Sequence, residues 1–368
     1  MGQVTDRPAL RPAVSARTIG WGILGTGRAA GEFARGLRYV RGADLVAVGS
    51  RSAEKANRFA RMSGARRACA SYEQLVADPA VDVVYVATPL ALHMSHCLLA
   101  LEAGKAVLCE KPFTASAEEA LRVIVFARER RLFCMEAMWM HFLPAMQKAM
   151  ELIRAGAIGE PRMLTADFGI PVKFDPENRV FNLALGGGAM MDLGVYPLAL
   201  AWRLFGEPEK VDAMSNFAVT GVDEQSSAMI RYSGGEIALL AATLTGYAAN
   251  EAVVVGTEGR ITIHEPLCRP DQLTISRAPA PATEEASNAR SWLKNCLRSN
   301  RLVRGLHGLV AGRASTVHVP YVGNGYNYEA SEVGKCLAAG AIESEVWSLD
   351  QTAGVMRTLD LVRKRWLA

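Results

Sequence analysis

TIGWGILGTGRAAGEFARGL, residues 18–37, reads as a short apolar strand, a glycine-rich turn and the opening turns of a helix. In the turn Gly25-Thr26-Gly27-Arg28-Ala29-Ala30, the two glycines let the backbone bend tightly and approach a pyrophosphate at the helix N-terminus. Ala30 fills the third position, where a small residue allows the helix to pack closely on its strand. A GxGxxA pattern alone is weak. Directly after the first strand of a βαβ series it predicts a dinucleotide-binding domain.

The chain on either side supplies that series. ADLVAVGS (43–50), VDVVYVAT (81–88), AVLCEK (106–111) and RLFCMEA (131–137) read as further strands. Helical stretches lie between them, SAEKANRFARM (52–62) and SAEEALRVIVFARER (116–130), the latter with Ser116 as N-cap and Glu119 completing a capping box. This predicts an α/β Rossmann domain with a doubly wound parallel sheet over residues 18–140. Beyond Phe142 the alternation stops. A helix near 144–155, the stretch EPRMLTADFG, a glycine-rich turn and another helix precede five β-like stretches between 211 and 264 with no helix among them. That pattern predicts an α+β domain over 141–368 with a large, mostly antiparallel open sheet whose uncovered face suits dimerisation. Its C-terminal helices are expected to pack back on the first domain, and residues 1–17 to form a loose arm.

Composition bounds the function classes. Of 368 residues, 50% are hydrophobic and 21% charged, which suffices for two cores and excludes a disordered or collagenous chain. Lys and Arg number 41 against 37 Asp and Glu, a surplus of +4 that implies neither a nucleic-acid nor a membrane partner. The seven cysteines are scattered without a CxxC spacing, which disfavours a disulfide framework or zinc site and suits the cytoplasm. No uncharged apolar run reaches the roughly 18 residues of a membrane span, and the first residues lack the apolar core of a signal peptide. The stretch from Ala286 to Tyr328 holds basic but no acidic residues and reads as a solvated face or flap with no assigned role.

At the end of the second strand, where a carboxylate would select NAD, the chain has Ser50, Arg51 and Ser52, with Lys55 and Arg58 on the following helix. Asp44 lies at the wrong end. A cation among hydroxyls suits a 2′-phosphate, so NADP(H) is expected to be preferred, with NAD(H) possible. Thr88, Pro89 and His93 follow the strand VDVVYVAT at the ligand-bearing edge of the sheet, and His93 is expected to line the pocket. Glu110-Lys111-Pro112 ends the next strand, where the lysine could polarise a substrate oxygen or lower a neighbouring acid's pKa. In GGGAMMDLGVYP (186–197), Asp192 and Tyr196 are four apart. They are neighbours whether Pro197 kinks one helix or begins another. The glycines open a close approach for a ligand or a helix.

With GTGRAA, ATPLALHMSH, the EKP triplet, MEAMWMHFLPA, GGGAMMDLGVYP and NYEASEVGKCLAAG, the chain resembles the Gfo/Idh/MocA oxidoreductase family over nearly its whole length from Thr18. Many members carry histidine where this chain has Tyr196. The tyrosine form is similar to the branch of dimeric dihydrodiol dehydrogenase and glucose-fructose oxidoreductase. The resemblance implies Lys111 and Tyr196 as catalytic pair, Asp192 beside them, a cis peptide before Pro112, and Trp139 and Arg179 facing substrate. It also implies a homodimer through the large sheet.

The implied reaction is hydride transfer between a nicotinamide and the carbinol or carbonyl carbon of a sugar, polyol or trans-dihydrodiol. Tyr196 would exchange the oxygen's proton, its pKa lowered from ~10 by the Lys111 ammonium. Two other readings are an NAD-dependent glycoside hydrolase of the same fold and a cofactor-sensing regulator without turnover. Retention of Lys111 and Tyr196 argues against the regulator.

Overall fold

The structure is a computed structural model that describes residues 18–278 and 314–366. The arm expected over 1–17 and most of the basic stretch from Ala286 lie outside the described residues.

Six parallel strands form the first sheet: β1 (Ile19–Leu24), β2 (Ala43–Gly49), β3 (Arg67–Cys69), β4 (Val83–Val86), β5 (Ala106–Glu110) and β6 (Cys134–Ala137), ordered β3-β2-β1-β4-β5-β6. Helices α1 (Arg28–Leu37), α2 (Ala53–Ser63), α3 (Tyr72–Val76), α4 (His93–Glu102) and α5 (Ala117–Arg130) connect them. Because both faces are covered, β4 and β5 are buried at every position, which is why VVYV and AVLC read as unbroken apolar runs before Glu110. The strand order reverses between β1 and β4, and a crevice opens there at the carboxyl ends. This is a Rossmann fold.

The second sheet has eight strands: β7 (Pro161–Gly169), β8 (Pro208–Phe217), β9 (Asp223–Tyr232), β10 (Ile237–Thr243), β11 (Ala252–Gly256), β12 (Gly259–Ile263), β13 (Gln272–Arg277) and β14 (Ala314–His318). Their order is β14-β13-β12-β11-β7-β10-β9-β8, antiparallel throughout except where β10 lies parallel to β7. Along β9 and β10 alternate residues are buried. Ala228, Ile230, Ala238 and Leu240 lie on the face that α7 (Val195–Phe205) covers, with α6 (Pro144–Arg154) packed on β12 and β13, while Met229, Ile237 and Leu239 stand exposed on the far face.

The C-terminal helices α8 (Tyr326–Ala338) and α9 (Leu349–Trp366) join the two halves. Helix α8 packs on α1, and α9 lies against α5, α7 and β8. Asp360 accepts from Ala117 N at 2.9 Å, and Trp202 donates to Thr358 at 3.1 Å. The stretch Leu183–Phe205 is long and apolar enough for a membrane span, but most of it is buried inside the molecule. It is the core helix of the second half.

Candidate active site

The cofactor end is built from backbone. Gly25 has φ +107°, and a Cβ there would meet Ala87 O at 2.5 Å, so the turn after β1 presses against the end of β4. Gly27 is the N-cap of α1 without a side-chain cap, the first turn holds no acidic residue, and a Cβ on Gly27 would meet nothing within 4 Å. Unsatisfied N–H groups thus face open space, which fits a dinucleotide pyrophosphate. Thr26 and Ala29 are half-buried beside them, and Arg28 is exposed.

At the end of β2, Ser50 Oγ accepts from Ser52 N (3.3 Å) and Ser52 Oγ caps α2 by accepting from Lys55 N (3.3 Å). Arg51 and Lys55 are exposed. Burial raises the Tyr72 phenol, and the nearby Arg51 guanidinium opposes that rise. Tyr72 stands edge-on to His96 with ring centroids 4.6 Å apart, and His96 Nδ1 lies 2.9 Å from Thr88 Oγ1. Burial pushes His96 down to about 4, so its ring is neutral at pH 7. Asp44 pairs with Arg66 (2.7 Å) at the opposite end of β2.

Two of the expected residues turn inward instead. His93 is 2% exposed, with Nδ1 3.0 Å from Pro112 O and Nε2 2.9 Å from Thr88 O. Both ring nitrogens are occupied, so the expectation that His93 lines the pocket is corrected. It ties the Thr88-Pro89 loop to the Lys111-Pro112 loop, whose peptide is cis. Glu110 is also buried and accepts from the Tyr85 hydroxyl.

Lys111, Asp192, Tyr196, Trp139 and Arg179 converge on the crevice. Residues Met190–Gly194 form a π-helical turn that runs straight into α7, so Pro197 sits inside one continuous helical segment. The wide turn absorbs the missing proline donor. Lys111 Nζ donates to Asp192 O (2.6 Å) and Oδ1 (3.3 Å) and sits 4.7 Å from the Tyr196 ring centroid. Arg179 grips the same carboxylate with two bonds of 3.0 and 3.2 Å. Burial alone would raise the Asp192 carboxyl, but Lys111 and Arg179 outweigh it and hold it at about 2.

The Tyr196 hydroxyl accepts from Trp139 Nε1 at 2.9 Å. Trp139 stacks on Tyr326 (4.7 Å), and Phe168 meets the Tyr196 ring edge-on (5.4 Å). Burial, followed by the fields of Cys268, Tyr326 and Glu110, holds the phenol well above its ordinary value, opposed by the Trp139 N–H. The expected lowering by Lys111 is therefore corrected. The ammonium faces the ring, and its hydrogen bonds are made to Asp192.

The triple glycine serves close approach of protein to protein. A Cβ on Gly187 would meet Arg179 O and Val180 O at 2.6 Å. This contact fixes the turn that carries Arg179. Among residues the sequence reading passed over, Tyr326 is next to the quoted motif NYEASEV, and Tyr72 and His96 bracket Arg51 and Thr88. Among the described residues no cluster could hold a metal ion.

The comparisons agree with this architecture. The profile described as "Oxidoreductase family, NAD-binding Rossmann fold" matches residues 19–138, and the "GFO/IDH/MocA C-terminal domain" profile matches 146–262. The chain belongs to the Gfo/Idh/MocA oxidoreductase family. It is 32% identical over 348 residues to trans-1,2-dihydrobenzene-1,2-diol dehydrogenase of Xenopus laevis, spanning 92% of this chain and 96% of that protein. The human enzyme of the same name is 31% identical over 352 residues, with 94% and 96% covered. Among solved structures, a 3-ketoreductase from Actinomadura kijaniata in complex with NADP and TDP-benzene superposes with TM-score 0.78 at 24% identity, covering 95% of this chain and 98% of that one. An aldose-aldose oxidoreductase from Caulobacter crescentus gives 0.78 at 23% identity, with 95% and 97% covered. These two likenesses show the fold.

Proposed function

We propose that this protein is an NADP(H)-dependent dehydrogenase that transfers hydride between the nicotinamide and the carbinol or carbonyl carbon of a sugar, polyol or trans-dihydrodiol. The observation that carries the reading is the convergence on Tyr196 of a donor to its hydroxyl, Trp139 Nε1 at 2.9 Å, and a cation over its ring, Lys111 Nζ at 4.7 Å from the centroid. Relatives about one-third identical bear the name of a dihydrodiol dehydrogenase, and the 3-ketoreductase is in complex with NADP. The NADP preference also rests on Arg51, without a carboxylate in the run Gly49-Ser50-Arg51-Ser52.

The nicotinamide, when bound, supplies or accepts hydride at its C4. Gly25, Thr26, Gly27, Arg28 and Ala29 would hold its pyrophosphate, and Ser50, Arg51, Ser52 and Lys55 its adenosine ribose phosphate. Thr88 and Pro89 form the adjoining wall, which His93 and Glu110 support from behind. In the reducing direction Tyr196 gives its proton to the substrate oxygen. The raised phenol keeps that proton at neutral pH, and the phenolate left behind meets the Trp139 N–H and the Lys111 ammonium. Asp192 orients Lys111, and Arg179 and Trp139 border the substrate. Assembly as a homodimer through the exposed face bearing Met229, Ile237 and Leu239 would cover apolar surface. The six described cysteines are all free, which supports a cytoplasmic setting.

The test is nicotinamide absorbance with NADP and NAD separately, against panels of polyols, aldoses and trans-dihydrodiols. Turnover with a member of one panel, faster with NADP, is expected. Glycoside cleavage with bound cofactor and no net absorbance change would favour the hydrolase instead.

A further inference from the structure

Asp223 opens β9 in the second sheet and is 3% exposed, yet it reaches the crevice side of the molecule. Its Oδ2 accepts from Met190 N at 2.8 Å and from the Ser226 hydroxyl at 2.6 Å. Ser226 Oγ is in turn hydrogen-bonded to Ser215 Oγ (2.5 Å). Asp223 Oδ1 lies against Gly188, where φ is +131° and a Cβ would meet that oxygen at 2.2 Å. No side chain larger than hydrogen fits between them.

Both contacts fall on the turn that carries Asp192. Met190 is the first residue of the π-helical turn, and its N–H would otherwise be one of the orphan donors of a helix start. Gly188 O accepts from Asp192 N at 2.9 Å, and Gly188 N donates to Val180 O at 2.9 Å, beside Arg179. Asp223 thus clamps the start of the segment whose next polar side chain is held by Lys111 and Arg179. Burial raises its carboxyl to about 6, opposed by the Ser226 and Met190 bonds and the more distant Arg363 of α9. Its chain neighbour Glu224 is bonded to Asn216 instead. A carboxylate kept in such a place at this cost has a positional task.

We propose that Asp223 is a positioning residue for Asp192, fixing the π-helical turn so that the Asp192 carboxylate meets Lys111 and Arg179. This rests on the reading of Lys111, Asp192 and Tyr196 as the reacting group. The experiment compares Asp223→Ala, Asp223→Asn, Asp192→Asn and the pair Asp223→Ala/Asp192→Asn by kcat, KM and cofactor Kd from nicotinamide fluorescence. Asp223→Ala is expected to lower kcat about tenfold or more, since small misplacements of reacting groups are costly, and to leave the cofactor Kd within about twofold. Asp223→Asn should recover most of the loss, because the amide oxygen still accepts from Met190 N. In the Asp192→Asn background, Asp223→Ala should add less than about twofold, because its effect passes through a group already removed.

Asp192→Asn impaired with Asp223→Ala retaining more than about half of kcat would overturn the proposal alone, as would fully multiplicative losses. Asp192→Asn with unchanged turnover would sink the reading of the site, and the proposal with it. If Asp223→Ala does not fold, Ser226→Ala keeps the carboxylate and removes one of its two donors. A fall in kcat of about two- to fivefold, absent in the Asp192→Asn background, is then expected, and no change in kcat overturns the proposal.

Discussion

Tyr196→Phe removes a single oxygen from a ring that is otherwise held on two sides. The edge contact with Phe168 (5.4 Å) and the Lys111 ammonium (4.7 Å from the centroid) act on the ring and survive. What is lost is the acceptor of the Trp139 N–H at 2.9 Å, with Tyr196 5% and Trp139 7% exposed. An orphaned buried donor costs about 1–3 kcal/mol, so the variant should fold with a measurably lower Tm. Loss of a proton donor in the transition state should lower kcat about 10²–10⁴-fold while cofactor affinity stays near wild type. Lys111→Met should cost a similar factor, and the double variant much less than the product, because the two groups act on one proton. The assay is steady-state turnover with the substrate found by the panel, with a deuterated alcohol to establish that hydride transfer limits the rate. Retention by Tyr196→Phe of more than about a third of kcat under that condition would refute the assignment.

Arg51→Ala should weaken NADP binding by about 1.5–3 kcal/mol, the size of a charge-assisted hydrogen bond, and leave NAD nearly unchanged; equal losses by fluorescence titration would count against the 2′-phosphate role. Leu239→Arg, on the exposed face of β10, should convert a homodimer to a monomer in light scattering, and a wild-type protein already monomeric at micromolar concentration would sink the dimer. For Asp192, a carboxyl held at about 2 in the fold stabilises above the unfolded value near 4, and that contribution is lost as pH falls through 2. The stability gap between wild type and Asp192→Asn should therefore shrink by about 2 kcal/mol from pH 5 to pH 2 in urea titrations, and a gap independent of pH would show that the ion pair contributes nothing.

How much of this was legible in the sequence follows element by element. β1 and β4 could be read because burial on both faces leaves IGWGIL and VVYV unbroken by charged residues, and β2, β5 and β6 because each carries a single acidic residue in an otherwise apolar run. β3 and α3 have 3 and 5 residues, too short for either hydrophobic period to register, and so Tyr72, the partner of Arg51, was not found. β13 keeps an alternating QLTISR pattern but lies beside the basic stretch that resisted reading. The parallel pairing of β10 with β7 joins residues 163–169 to 237–243, and no local pattern encodes such a partner. Within the site, residue types revealed Lys111, Asp192 and Tyr196. Trp139 and Arg179 came through the family resemblance alone. The sequence could not tell that His93 turns both nitrogens to carbonyls or that Lys111 spends its donors on Asp192, since both depend on side-chain directions. Asp223 carries no local signal in the sequence, and only the fold brings it to Met190.

The charges around Tyr196 explain why the phenol can stay high and still serve. Lys111 and Arg179 contribute two positive charges, set against the Asp192 carboxylate that both grip and the buried Glu110 carboxyl whose field raises the phenol. Without Asp192 the two cations would repel each other across the crevice. With it they are held in place at low cost, because each keeps a charge-assisted hydrogen bond. For the phenolate of the proposed mechanism the donor already in place is the Trp139 N–H, which opposes the rise caused by burial and needs no rearrangement when the charge appears. Burial meanwhile keeps the resting phenol protonated. A protonated phenol is the form that the proposed reduction starts from. Under the proposed mechanism oxidation would retrace the same states, the phenolate forming beside the Trp139 N–H with Lys111 still held by Asp192.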